Sequence, residues 1–221
     1  SFSKTAGILT LPYIMKRHGD AVKMTTGALG EFWKDTWITE AGVRPLGWCY
    51  SNFRNLTNSK KPITSIDDLQ GLKIRVPKNA QMIATYKSWG LSPVPMAWTE
   101  TFTAMQQRVV DGQDNPYLVC VSNKFYEVQK YITPIRYLFS LEPLVISESL
   151  FQSQSDEMKQ LLLDAGMEAT LHSQKFLADS EEAIIKRLVE EKGMIITPPA
   201  NDEKEWIEKA TKAVWPKYYD S

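Results

Sequence analysis

Two histidines and two cysteines are all that 221 residues offer for metal ligation or nucleophilic chemistry. Cys49 and Cys120 lie far apart, in neither a CxxC nor a Cys/His spacing. That removes the common zinc and redox motifs and leaves two buried free thiols as the expectation, with a Cys49–Cys120 disulfide as the alternative. His18 sits in a polar "KRHGD" turn, which predicts a surface position; His172 falls beside the apolar side of a helical stretch, which predicts a structural role. No GxSxG, HExxH, GxGxxG or GxxxxGK[ST] is present. Net charge is lacking too, since 26 Lys and Arg balance 26 Asp and Glu. Bulk electrostatics therefore give nucleic acid nothing to be drawn to. No apolar run approaches the roughly 20 residues needed to cross a bilayer. The chain opens on Ser1 with no leader-like run, which reads as a processed or shortened product.

Aromatic residues are plentiful: seven Trp, nine Tyr and eight Phe, enough for a core and a ligand cleft. Short elements alternate through the first two thirds, which predicts α/β layers. "GEFWKDTWITEAG" reads as an amphipathic helix closed by Gly42, and "VRPLGWCYSNF" as a strand. Ser65 and Asp68 in "TSIDDLQG" have the spacing of a capping box. A strand over 72–76 follows, then a helix ending at Gly90, and a further helix begins at a Thr99 cap. Asn115 and Pro116 are placed at the N-cap and first position of the next helix. From Asp156 to Lys192 the pattern is almost continuously helical, with a stripe of Met158, Leu162, Ala165, Ala169 and Phe176 and a kink expected near Gly166. "GMIITPP" reads as a returning strand, and Asn201 as the cap of a terminal helix.

"GLKIRVPKNAQM" poses the one chemical question. Leu72, Ile74 and Val76 alternate as a buried strand should, yet Arg75 stands between them. A buried guanidinium is costly unless something pairs with it. Either it forms a structural ion pair, or it lies at the carboxyl end of a strand, where α/β sheets bind ligands. Its planar fork matches a carboxylate through two parallel hydrogen bonds.

The segments "SIDDLQGLKIRVPKNAQM", "SPVPMAWTETFTAMQQRVVDGQDNP" and "KFYEVQKYI", with "LTLPYIMKR" and "NFRNLTNSKKPI", follow one another as in the DctP-type solute-binding proteins of tripartite ATP-independent periplasmic (TRAP) transporters, which the chain resembles throughout. The resemblance implies a two-lobed, type II periplasmic-binding-protein-like α/β fold with hinge strands and a long bracing helix. It implies lobe I from 1–51 and 140–179, and lobe II from 52–139 and 180–221. A small organic-acid ligand captured in an interlobe cleft, delivery to TRAP membrane subunits, a periplasmic location and a monomer are implied with it; no catalytic residue, metal or cofactor is.

Residue by residue, Arg75 matches the family's principal carboxylate-binding arginine, Arg54 the second arginine and Asn115 the cleft asparagine. Trp98 matches the aromatic position that packs on the ligand, and Lys78 and Asn79 match positions that reach it. Trp98 stands where Phe is usual, and Asp114 where Glu is common. The family also begins with a further βαβ-rich stretch that precedes "LPY"; without it the first lobe would carry an exposed sheet edge. Local readings stand beside these: Asn115 as a helix cap, Trp98 as core, Arg54 as an exposed strand end. An enzyme or a ligand-sensing domain on a similar scaffold is the alternative function.

Overall fold

The computed structural model describes residues 3–218. In chain order the helices are α1 (His18–Thr25), α2 (Gly27–Ala41), α3 (Ala80–Ser88), α4 (Thr101–Gln106), α5 (Tyr117–Ser122), α6 (Glu148–Gln152), α7 (Asp156–Lys186) and α8 (Lys204–Val214). The strands are β1 (Val43–Phe53), β2 (Asn55–Asn58), β3 (Ile74–Val76), β4 (Val94–Pro95), β5 (Gly112–Asn115), β6 (Tyr131–Thr133), β7 (Phe139–Ser147) and β8 (Ile195–Ile196). The chain divides into two compact units. One comprises the described residues of Ser1–Leu9, Met15–Asn52 and Phe139–Ser180; the other comprises Thr10–Ile14, Phe53–Leu138 and the described part of Glu181–Ser221.

In unit one, β1 and β7 form a two-stranded sheet. Gly42 ends α2 in the left-handed conformation (φ 65°), donating its N–H to the Ile38 and Trp37 carbonyls, as its place in the sequence predicts. Arg44 grips Glu148 with two bonds of 2.8 and 2.7 Å and lies 4.4 Å over the Phe151 ring.

The helix α7 is long, as expected, but its buried face differs from the predicted stripe. Gly166, Thr170 and Leu177 are buried, whereas Met158 and Phe176 are exposed. Close approach, not hydrophobicity, selects the face. A Cβ on Gly166 would collide with the Leu46 carbonyl, and one on Gly47 with the Gly166 carbonyl. Thr170 Oγ1 then accepts the Trp48 N–H at 2.8 Å. Gly166 thus serves backbone contact, and His172, on the opposite side, is exposed. Cys49 is also exposed, since alternation along β1 turns it outward, while Cys120 is buried; both are free.

Unit two is built on a six-stranded sheet in the order β4-β3-β5-β2-β6-β8. Neighbours β4, β3 and β5 are parallel, β2 runs antiparallel to β5 and β6, and β8 is parallel to β6. One face packs Leu56, Ile74 and Val76 against Met82, Tyr86 and Trp89 of the α3 region and against Trp206 and Ala210 of α8. The second cluster gathers Val110, Cys120, Phe125, Ile132, Leu188 and Met194. Gly112 fixes the register of β5, because a Cβ there would strike the Thr57 carbonyl.

Of four start signals, the first forms its box and three shift. Ser65 and Asp68 bond reciprocally, Ser65 N–H to Asp68 Oδ2 at 2.9 Å and Asp68 N–H to Ser65 Oγ at 3.3 Å, around a single 3₁₀ turn. Asn115 is not a cap; it ends β5, and Pro116 takes the cap position of α5. Asn201 falls inside a 3₁₀ turn, and Glu203 (φ 62°) precedes α8. At α4 the Glu100 side chain accepts from Ala97 N–H, so Thr99 is not the cap.

Candidate anion site in unit two

Arg75 is the middle residue of β3, between Val94 of β4 and Gln113 of β5. Alternation sends Ile74 and Val76 into the core and Arg75 to the opposite face. It is 3% exposed. One terminal nitrogen donates to the Met96 carbonyl at 2.9 Å, and Nε is buried with no partner. Among the described residues no carboxylate lies within ion-pairing distance of it. Burial lowers its pKa and the Arg54 cation lowers it further, while Asp114 opposes both. The guanidinium is short of negative charge.

Arg54 is held differently. Its Nε donates to Asp114 Oδ2 at 2.7 Å, and a terminal nitrogen donates to the Asp114 backbone carbonyl. The Tyr137 hydroxyl donates to the same Oδ2 at 2.7 Å. Burial is the largest influence on the Arg54 pKa and lowers it, yet Asp114, with Tyr137 and Tyr86 adding, raises it overall. Tyr137 is driven well up, by burial first and Asp114 second. Asp114 Oδ1 is buried without a partner. Asp114 is therefore spent on Arg54, and Arg75 feels its charge without pairing with it.

The remaining predicted residues are placed as follows. Asn115 is buried beside Gln113, its Nδ2 donating to Gln113 Oε1 at 2.5 Å. Gln113 Nε2 continues to Thr57 Oγ1 at 3.0 Å, and Thr57 Oγ1 to Gln129 Oε1 at 2.9 Å. Trp98 is 45% exposed, and its ring lies 5.7 Å from the Arg75 guanidinium carbon, within cation–π range. Asn79 caps α3, accepting Met82 N–H at 2.9 Å, while its amide donates to Thr10 Oγ1 at 3.2 Å. Lys78 is exposed. Arg75 and Trp98 come together; Asn79 is engaged in capping.

Asp114, Tyr137 and Gln113 complete the polar assembly without having been singled out as site residues. Asp114 had a signal in "GQDNP", an acidic residue in a four-residue buried strand. Tyr137 had none, since its partner lies 23 positions away. Among the described residues there is no group of three His, Cys, Asp or Glu suited to a metal, and no helix is long and apolar enough to cross a membrane.

The chain belongs to the bacterial extracellular solute-binding proteins of family 7 (DctP), whose model matches residues 1–221. It is 31% identical over 195 residues to the 2,3-diketo-L-gulonate-binding periplasmic protein YiaO of Escherichia coli (strain K12), covering 88% of this chain and 59% of that protein. It is similar to the crystal structure of a TRAP periplasmic solute-binding protein from Roseobacter denitrificans with bound L-galactonate (TM-score 0.90, 32% identity, 97% of this chain and 70% of that one). A TRAP periplasmic solute-binding protein from Polaromonas sp. bound to D-erythronate is likewise similar (TM-score 0.88, 33% identity, 99% and 70%). The chain therefore spans 59% of the length of that curated relative.

Proposed function

We propose that this protein captures a small organic acid and delivers it, in the periplasm, to the membrane subunits of a TRAP transporter. It works as a monomer, with neither catalysis nor a cofactor or metal. One observation carries the reading: Arg75 is a buried cation with an unpartnered Nε and no carboxylate beside it. Such a charge is unfavourable until an anion arrives, so the missing partner is the ligand's carboxylate. The acids bound by the similar proteins, L-galactonate and D-erythronate, support it. Trp98 covers the ligand's carbon skeleton, and Asn115 adds a hydrogen bond. Arg54, held by Asp114, lends long-range positive charge. Lys78 and Asn79 stand at the rim through their backbone. The lobes are assigned as 1–51 with 140–179 and 52–139 with 180–221; the compact units support this except at Thr10–Ile14, which fall in unit two, and at Asn52, Phe139 and Ser180, which fall in unit one.

A thermal-shift and calorimetric screen tests the proposal, using sugar acids, hydroxy acids and dicarboxylates against their neutral amide or alcohol analogues. An acid at about 100 times its Kd stabilises the fold by roughly 2.7 kcal/mol. Saturable binding of acids alone is the expected result. Equal binding of a neutral analogue, or conversion of the acid into a new product by mass spectrometry, would overturn the reading.

A further inference from the structure

Unit two holds a cavity of about 320 Å³ that none of the six anion-site residues lines. Its walls include Phe53, Asn55, Tyr117, Arg136, Glu181 and Glu203. The volume lies at the lower end of the range of about 300–1,000 Å³ for small-molecule sites.

Three features mark it as built for a ligand. Asn55 is 1% exposed; its Nδ2 donates to the Phe53 carbonyl at 3.2 Å, and its Oδ1 is buried without a partner. A buried acceptor left unmade is costly, and it calls for a donor. Second, Arg136 lies with its guanidinium carbon 4.6 Å over the Phe53 ring, and no hydrogen bond or carboxylate engages its side-chain N–H groups among the described residues. The Glu181 carboxylate on the same cavity is equally unengaged. Third, the backbone at Arg136 (φ 43°) and Glu203 (φ 62°) is left-handed, a conformation that costs non-glycine residues energy and tends to collect at functional sites. The Tyr117 phenol senses all three charges. Its pKa is raised by burial foremost and then by Glu181, with Glu203 adding and Arg136 opposing.

We infer that this cavity binds a small zwitterion, a primary ammonium and a carboxylate joined by a short hydrocarbon chain. The carboxylate meets the Arg136 fork, the ammonium meets Glu181 and the Asn55 oxygen, and the chain lies on Phe53 and the neighbouring prolines. A simple anion would face the Glu181 carboxylate, and a simple cation would face Arg136. Only a molecule with both charges answers both ends of the cavity.

Calorimetry with 4-aminobutanoate and 6-aminohexanoate as probes, and hexanoate and hexylamine as single-charge controls, tests this on the full chain. At least one zwitterion should saturate one site, with each control weaker by about tenfold or more, or about 1.4 kcal/mol. Arg136→Asn, which keeps a residue tolerant of the left-handed backbone, and Glu181→Gln should each weaken the zwitterion by a similar factor. Every probe and control is also measured in the Arg75→Ala background, where the organic-acid site is disabled, so that binding read there belongs to this cavity and failure there is distinguishable from failure of the organic-acid reading. Absence of saturation at millimolar probe, hexanoate binding as well as the zwitterions in the Arg75→Ala background, or indifference to both cavity variants would overturn the inference.

Discussion

The Arg54 guanidinium and the Asp114 carboxylate are joined at 2.7 Å with the carboxylate side chain fully buried, so the Asp114 charge has no recourse to water. Removing one partner takes away the other's counter-charge. Asp114→Ala should cost about 3–5 kcal/mol of unfolding free energy, the scale for breaking a buried pair. Here it would leave two neighbouring buried cations. An unchanged urea midpoint would show that the pair does not hold the fold.

Arg75 predicts the opposite balance. It has no internal counter-charge, so Arg75→Met should not destabilise the protein, because an apolar side chain replaces an unpaired buried cation. Organic-acid binding should fall by about 2–5 kcal/mol, the range for truncating one partner of a buried charge pair. Urea unfolding and calorimetry on the same preparation check both. A variant that unfolds easily yet still binds would reverse the assignment.

Gly166→Ala sets two effects against each other. Helix propensity alone would add up to about 1 kcal/mol of stability. The new methyl group, however, meets the Leu46 carbonyl, and such overpacking costs about 1–3 kcal/mol. A net lowering of Tm is expected. A higher Tm would mean that the helix–strand contact is loose.

Acid sensitivity should include Asp68. Backbone N–H groups of Thr64, then Ser65, bind its carboxylate and pull its pKa from 3.8 to about 2. The folded value lies below the unfolded one, so this contribution is complete above about pH 4 and disappears as pH falls through about 2. Carboxyl NMR should place its midpoint near 2, and Asp68→Asn should flatten the stability profile between these limits. Titration near 3.8 would dismiss the box.

The two thiols should separate cleanly under a thiol reagent. Cys49 is exposed, whereas burial pushes the Cys120 thiol up to about 12. Thiolate is the reacting form. One equivalent should react with native protein and the second only after denaturation; two fast equivalents would contradict the burial of Cys120.

Much of this was legible because it is local. Gly42 announces a left-handed helix end, Ser65 and Asp68 a reciprocal box, and the alternation around Arg75 a charge facing away from the core. The failures share a cause. The buried face of α7 was invisible because Gly166 and Thr170 are chosen by backbone proximity, which hydrophobic periodicity cannot register. Asn115 has the chemistry of a cap, but pairing with Asn55 in the sheet makes it a strand residue. The Arg54–Asp114–Tyr137 assembly joins residues distant in the chain, and no spacing encodes it.

Strand β5 gives Gly112 an importance beyond packing. Along Gln113, Asp114 and Asn115 consecutive side chains point to opposite faces, so the carboxylate and the two flanking amides are separated only by parity. A slip of one residue would turn Asp114 toward Arg75, neutralise the cation internally and shut out any incoming acid. A glycine with no room for a methyl group keeps the lock open by holding the count.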